Sequence, residues 1–281
     1  MTTSLRHRLE KADKVSGLKG RIRHSACKWC YASIPLEELC ATAKEMGLTS
    51  VELVDPPDFP VLKKYGLGSA MISFPVIAGP LRQKVGVIEN AFNRPENHEL
   101  LVQAYTPLIK ASAAFGAKNV ICFSGNRNGM DDEVGLKNCA RGLKKLLPLA
   151  EKHGITLVME LLNSRVDHKD YMCDKSAWGV ALCKAVGSEN FKLLFDIYHM
   201  QIMEGDIIST IKRDHACIAH YHTGGVPGRH EIDDTQELNY PAIMRAIVET
   251  GFQGHVGQEF IPTQADKLSA LRQALRICSV S

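Results

Sequence analysis

Short apolar or β-branched runs alternate along the chain with longer stretches whose apolar residues recur at helical spacing, the pattern of repeated βα units. Strand-like runs fall near 21–27, 50–54, 68–74, 119–124, 155–162, 191–197, 216–223 and 255–260. Several are apolar at consecutive positions, as strands covered on both faces of a parallel sheet are. Helical periodicity fills the intervals over 35–46, 97–115, 134–153, 176–186, 205–213, 240–250 and 265–278. Gly47, Gly116, Gly154, Gly187 and Gly251 stand where C-terminal caps of five of these helices belong. Between the second and third strands the connection from Pro56 to Tyr65 is short and proline-rich, which predicts a helix of one turn.

Eight such units, with no internal repeat and no Gly/Ser/Pro linker, predict an α/β fold in which one (β/α)₈ TIM barrel spans 21–281. An open doubly wound sheet is the alternative, but RHSACKWCYASIP, running on from the first strand, lacks any glycine for a phosphate loop. Residues 1–20 are polar and basic and read as an N-terminal extension.

Composition narrows the function classes. With 45% apolar and 23% charged residues the chain has the makings of a folded globular protein rather than a disordered one. A net charge of +3, with its basic residues scattered, offers no cationic stripe, so nucleic acid is not expected as a partner. No apolar run approaches the ~20 residues of a membrane span, and the N-terminus shows no secretory signal. Nine cysteines without regular spacing read as reduced thiols. A cytoplasmic protein with no membrane partner is expected.

Active sites of such barrels form at the C-terminal ends of the strands, so polar residues that end apolar strands carry the most information. Glu160 ends ITLVME, Asp196 ends FKLLFD, His222 ends CIAHYH and Glu259 ends HVGQE. Each alone reads as a paired carboxylate or a core histidine. Together they are the tips of four successive strands, each about one βα unit from the next. Three carboxylates facing one axis repel one another, and each buried charge costs several kcal/mol without a partner. A divalent cation answers both problems, and a mostly oxygen donor set without thiolate suits Mn²⁺, Mg²⁺ or Co²⁺. Beyond the four, Arg229 in the loop GGVPGRHE is a candidate clamp for a substrate carboxylate, with His230 and Glu231 beside it. His199, three residues past Asp196, is a candidate partner for a substrate hydroxyl. Asn163 and Arg165 follow Glu160 towards the mouth, while Glu52 and His24 are candidates for supporting roles.

The segments FDIYHMQIMEGD (195–206), VPGRHE (226–231), ELNYPAIM (237–244) and GxVGQEF (254–260) resemble the hydroxypyruvate isomerase family, within the wider xylose-isomerase-like barrel group. The resemblance runs from about residue 22 to the C-terminus and is most specific over 195–260. It implies a metal-bound sugar or keto-acid site in which two glutamates, Glu160 and Glu259, exchange a proton, with metal ligands at Glu160, Asp196, His222 and Glu259. It also implies hydroxypyruvate and tartronate semialdehyde as a substrate pair, and a possible homo-oligomer. The seventh strand departs from the pattern: IAHYH (218–222) stands where many hydroxypyruvate isomerases have a stretch like IGHVQ. The related ketose 3-epimerases carry histidine there, so ketose 3-epimerisation and 2-oxo-tetronate isomerisation stay open.

Two rivals come from other classes. Cys27 and Cys30 form a CxxC between a strand and a helix, as in a thioredoxin-like redox protein. Abasic-site DNA cleavage uses the same barrel, but is expected to need more histidine and aspartate ligands and a basic mouth.

Overall fold

A strand apolar at every position needs cover on both faces, and the central sheet provides it by curling on itself under a ring of helices. The computed structural model describes residues 20–281, so the expected extension lies, apart from Gly20, outside the described residues. Its strands in chain order are β1 (Arg23–Cys27), β2 (Ser50–Glu52), a two-residue antiparallel pair β3 (Ile77–Ala78) and β4 (Lys84–Val85), then β5 (Asn119–Cys122), β6 (Thr156–Glu160), β7 (Phe191–Asp196), β8 (Ile218–Thr223) and β9 (His255–Gln258). Seven of them form one parallel sheet in the order β2-β1-β9-β8-β7-β6-β5.

The sheet closes into the expected (β/α)₈ barrel through 68–72, which bridges β2 on one side and β5 on the other. The Val51 amide donates to the Gly68 carbonyl at 3.2 Å and that of Leu53 to Met71 at 2.8 Å, while across the seam Ile72 donates to Asn119 at 2.9 Å. This eighth strand pairs by isolated bridges rather than a continuous ladder. Leu53 sits in the left-handed region with φ of 55°, which breaks β2 after Glu52 and interrupts its register with 68–72.

The helices are α1 (Leu36–Glu45), α2 (Phe59–Lys64), α3 (His98–Phe115), α4 (Asp132–His153), α5 (Ser176–Val186), α6 (Ile197–Met203), α7 (Ile207–Asp214), α8 (Tyr240–Glu249) and α9 (Lys267–Cys278). Their apolar faces pack on the buried strands in one continuous core. The five expected capping glycines all have positive φ, between 62° and 95°. Two differences stand out. The connection after β2 is longer than the single expected turn, because a 3₁₀ turn (Pro56–Asp58) runs straight into α2. And α6 was not expected: FKLLFDIYHM reads as one apolar run, yet Asp196 Oδ1 accepts the His199 amide at 3.0 Å and starts a helix there.

Candidate active site

Parallel register sets the level of each strand tip. Asp196 on β7 aligns with His222 on β8, and His222 with Gly257 on β9, two residues before Glu259. Glu160 closes β6. All four side chains are buried, and one ligand atom from each lies within 4.8 Å of the other three. The four residues expected at the centre are brought together there.

The group is short of positive charge. Arg229 supplies one cation: its Nη2 donates to Asp196 Oδ2 at 3.2 Å and to Glu259 Oε2, and its guanidinium lies between the rings of Trp29 and Tyr198, 5.2 and 5.4 Å from their centroids. Trp29 Nε1 donates to Glu259 Oε1 at 2.8 Å. The carboxyls respond differently to these surroundings. Burial pushes Glu160 up, helped by the charge on Glu259, and pushes Asp196 up to about 8. Burial would raise Glu259 too, but His222 and Arg229 outweigh it and hold it well below the usual carboxylate range. His222 is raised by Glu259 against the opposing effect of burial.

Several buried atoms here lack a hydrogen-bond partner among the described residues. Glu160 Oε1 is one and His222 Nδ1 another, the latter 2.8 Å from Glu259 Oε2 yet out of line for a hydrogen bond. Buried polar atoms are rarely left unpaired. Three carboxylates, one imidazole lone pair and two unpaired donor atoms fit a divalent cation, so Glu160, Asp196, His222 and Glu259 form a group able to hold one.

A cavity of about 350 Å³ opens over the cluster, with Glu160, Glu259, Arg229 and His168 on its polar side and Phe74 and Phe123 on its apolar side. Arg229 faces inward, as the clamp expectation requires, with its Nε buried and unpaired. His199 is buried beside Asp196: its Nδ1 is 2.7 Å from Asn163 Nδ2, and its Nε2 has no hydrogen-bond partner among the described residues. The other candidates are placed elsewhere. Asn163 does not line the cavity. Its amide is spent on His199, on Asp167 Oδ2 at 2.6 Å and on the backbone of Val166 and Asp167, so it braces the loop. His230 is exposed, with Nδ1 3.2 Å from the Ile261 carbonyl, because the turn that aims Arg229 inward carries its neighbour outward. Glu231 is held by Thr263 and Gln264, and Arg165 is bound to the Ile202 carbonyl. His24 lies near the opening end of β1, close to Gln258 and Ser279. Glu52 does reach the cluster, from below.

Cys27 and Cys30 are free and buried, and burial pushes both thiols well up. A redox-active CxxC needs the opposite shift. Sequence reasoning missed Trp29, Tyr198 and His168 as site residues. Trp29 lay inside the CxxC segment just after β1, a position that could have drawn attention to it.

A profile described as xylose isomerase-like TIM barrel matches residues 40–278. A putative hydroxypyruvate isomerase from Homo sapiens is 27% identical over 262 residues, covering 89% of this chain and 86% of that one. A 2-oxo-tetronate isomerase from Cupriavidus necator is 42% identical over 113 residues, 40% of this chain and 43% of its own length, so the match spans under half of that relative. Among solved structures, an AP endonuclease, family 2, from Brucella melitensis superposes with a TM-score of 0.76 at 25% identity, covering 89% of this chain and 97% of that one.

Proposed function

This chain belongs to the xylose isomerase-like TIM barrel family, and from that premise we propose that it is a metal-dependent isomerase of a small hydroxy-carbonyl compound, working through an enediolate. The observation that carries the reading is the cluster itself: two glutamates that can move a proton, within 4.8 Å of each other and of two further ligands, at the floor of a cavity. Glu160, Asp196, His222 and Glu259 would hold Mn²⁺, Mg²⁺ or Co²⁺. A cation bound there supplies Lewis acidity to adjacent carbonyl and hydroxyl oxygens, easing loss of the carbon-bound proton between them. One glutamate takes that proton and the other returns one to the neighbouring carbon, and the direction of reaction decides which begins. His199 does not line the cavity; its Nε2, unpaired among the described residues, lies 3.7 Å from Asp196 Oδ2 and would brace that ligand. Arg229 presents a guanidinium to the cavity, which favours a substrate bearing a carboxylate and so the hydroxypyruvate and tartronate semialdehyde pair.

Histidine at 222 supports ketose 3-epimerisation as a second reading, and the 42% match supports 2-oxo-tetronate isomerisation as a third. All three pass through an enediolate, differing in whether the proton returns to the neighbouring carbon or to the opposite face of the same one. A single imidazole in the cluster does not support the multi-histidine site expected for abasic-site cleavage. Nine free thiols support a reducing cytoplasm as its compartment.

Screening hydroxypyruvate, tartronate semialdehyde, 2-oxo-tetronate and a ketose panel with Mn²⁺ added tests the reading. Glu160→Gln and Glu259→Gln are each expected to lose at least about 10²-fold in turnover with unchanged circular dichroism. A Glu259→Gln protein with near-parental activity ends the assignment.

A further inference from the structure

Below the four-residue cluster lies another buried carboxylate, Glu52, the last residue of β2. Among the described residues, no lysine or arginine bonds to it. Its Oε1 accepts from His220 Nε2 at 2.8 Å and from His222 Nε2 at 2.7 Å, with Cys27 Sγ 3.5 Å away. The route is a long one. In the strand order β2-β1-β9-β8, Glu52 aligns with Cys27 and His222 with Gly257, so the carboxylate reaches across the barrel interior past two intervening strands. Gly257 leaves the room for it: a Cβ there would lie 2.3 Å from Glu52 Oε1 and 2.8 Å from His222 Cδ2. An ionised carboxylate only accepts, so a proton stays on His222 Nε2. Nδ1 is thereby the nitrogen turned to Glu160 and Glu259, 3.5 and 2.8 Å away, and the one whose lone pair a cation would take in exchange for a proton.

We propose that Glu52 is a positioning residue that fixes the ring and tautomer of His222 for cation binding, and that Gly257 is the gap through which it acts. The inference rests on the reading of the cluster as a cation site, and its test needs no substrate. A carboxylate behind a ligating imidazole holds the ring's orientation and raises its basicity, and losing such a partner typically costs 10–100-fold in metal affinity. His220, two residues earlier on the same face of β8, gives the second hydrogen bond that holds the Glu52 rotamer.

The test is titration of the full chain with Co²⁺, followed by calorimetry and by visible absorption of the bound ion. Glu52→Gln removes the charge. Gly257→Ala keeps the carboxylate but crowds both its Oε1 and the His222 ring, so the pair cannot hold its present geometry. Both are expected to raise the Co²⁺ dissociation constant by about 10–100-fold and to alter the Co²⁺ spectrum. In a His222→Gln background, Glu52→Gln is expected to add less than about 2-fold, because the two residues act as one unit. Parental affinity in Gly257→Ala, or fully additive losses in the double variant, overturns the proposal even if Glu52→Gln fails to fold. A parent chain that binds no Co²⁺ overturns both this proposal and the cation site. Tight binding without turnover of any substrate overturns the isomerase reading alone.

Discussion

His24 and His222 are buried imidazoles in the same barrel, and their surroundings drive them in opposite directions. Burial would lower His222, but Glu259, with Cys27 and Glu160 adding, outweighs it and the ring is raised. His24 has no carboxylate beside it among the described residues, and burial, with the charge of His255 adding, lowers it to about 3. The folded chain therefore keeps His24 neutral down to about pH 3, while the unfolded chain protonates it below about pH 6.5. The stability this neutral ring permits is present above about pH 6.5 and lost as pH falls through that window, by about 1.4 kcal/mol per pH unit. Urea denaturation at pH 7 and pH 5 should show the parent losing more stability than His24→Asn does, and equal losses would sink the assignment. Sequence alone could not separate these two histidines by type. It could separate them by place, because His222 lies at the C-terminal tip of its strand and His24 near the opening of its own. Direction was less legible: whether Asn163 turns to the cavity or to its own loop depends on backbone amides that a sequence does not display.

At the scale of elements, close approach of helices explains what propensity cannot. Gly142 sits in the middle of α4, where alanine would gain about 1 kcal/mol in helix propensity. Here a Cβ would stand 2.6 Å from His98 Nε2 and 3.0 Å from Phe92, and the His98 ring is held in place 2.9 Å from the Phe92 carbonyl. Overpacking of that kind costs about 1–3 kcal/mol, so it wins. Gly142→Ala should lower the urea midpoint, and a higher midpoint would show that α3 and α4 can move apart. Helix ends were legible because capping glycines announce them. The β3/β4 pair was not, since two residues per strand leave no periodicity to read, and α6 was hidden because its apolar residues continue those of β7. Asp196 marked that boundary only in retrospect, by serving both as a strand tip and as a helix cap.

For the whole molecule, counting eight βα units was enough to expect a closed barrel, but not to see that its seam at 68–72 would be held by isolated bridges. Closure gathers the strand tips, and with them an unfavourable load of buried negative charge. Asp196 is the clearest case, pushed up to about 8 although Arg229 is bonded to it. A group raised in this way disfavours the folded state once pH exceeds its unfolded value, and a bound divalent cation should relieve it. Saturation at 100 times the dissociation constant adds about 2.7 kcal/mol, which at about 2 °C per kcal/mol for a barrel of this size raises the melting midpoint by roughly 5 °C. Asp196→Asn separates charge from structure, since asparagine keeps an oxygen for the His199 amide and still caps α6. Its cation-free midpoint should be at least as high as the parent's, and its response to Mn²⁺ should collapse. Differential scanning calorimetry with chelator and then with Mn²⁺ measures both quantities. A full Mn²⁺ shift in Asp196→Asn would mean that the cation binds elsewhere, whereas a lower cation-free midpoint would mean that the Arg229 pairing outweighs the cost of burying the charge.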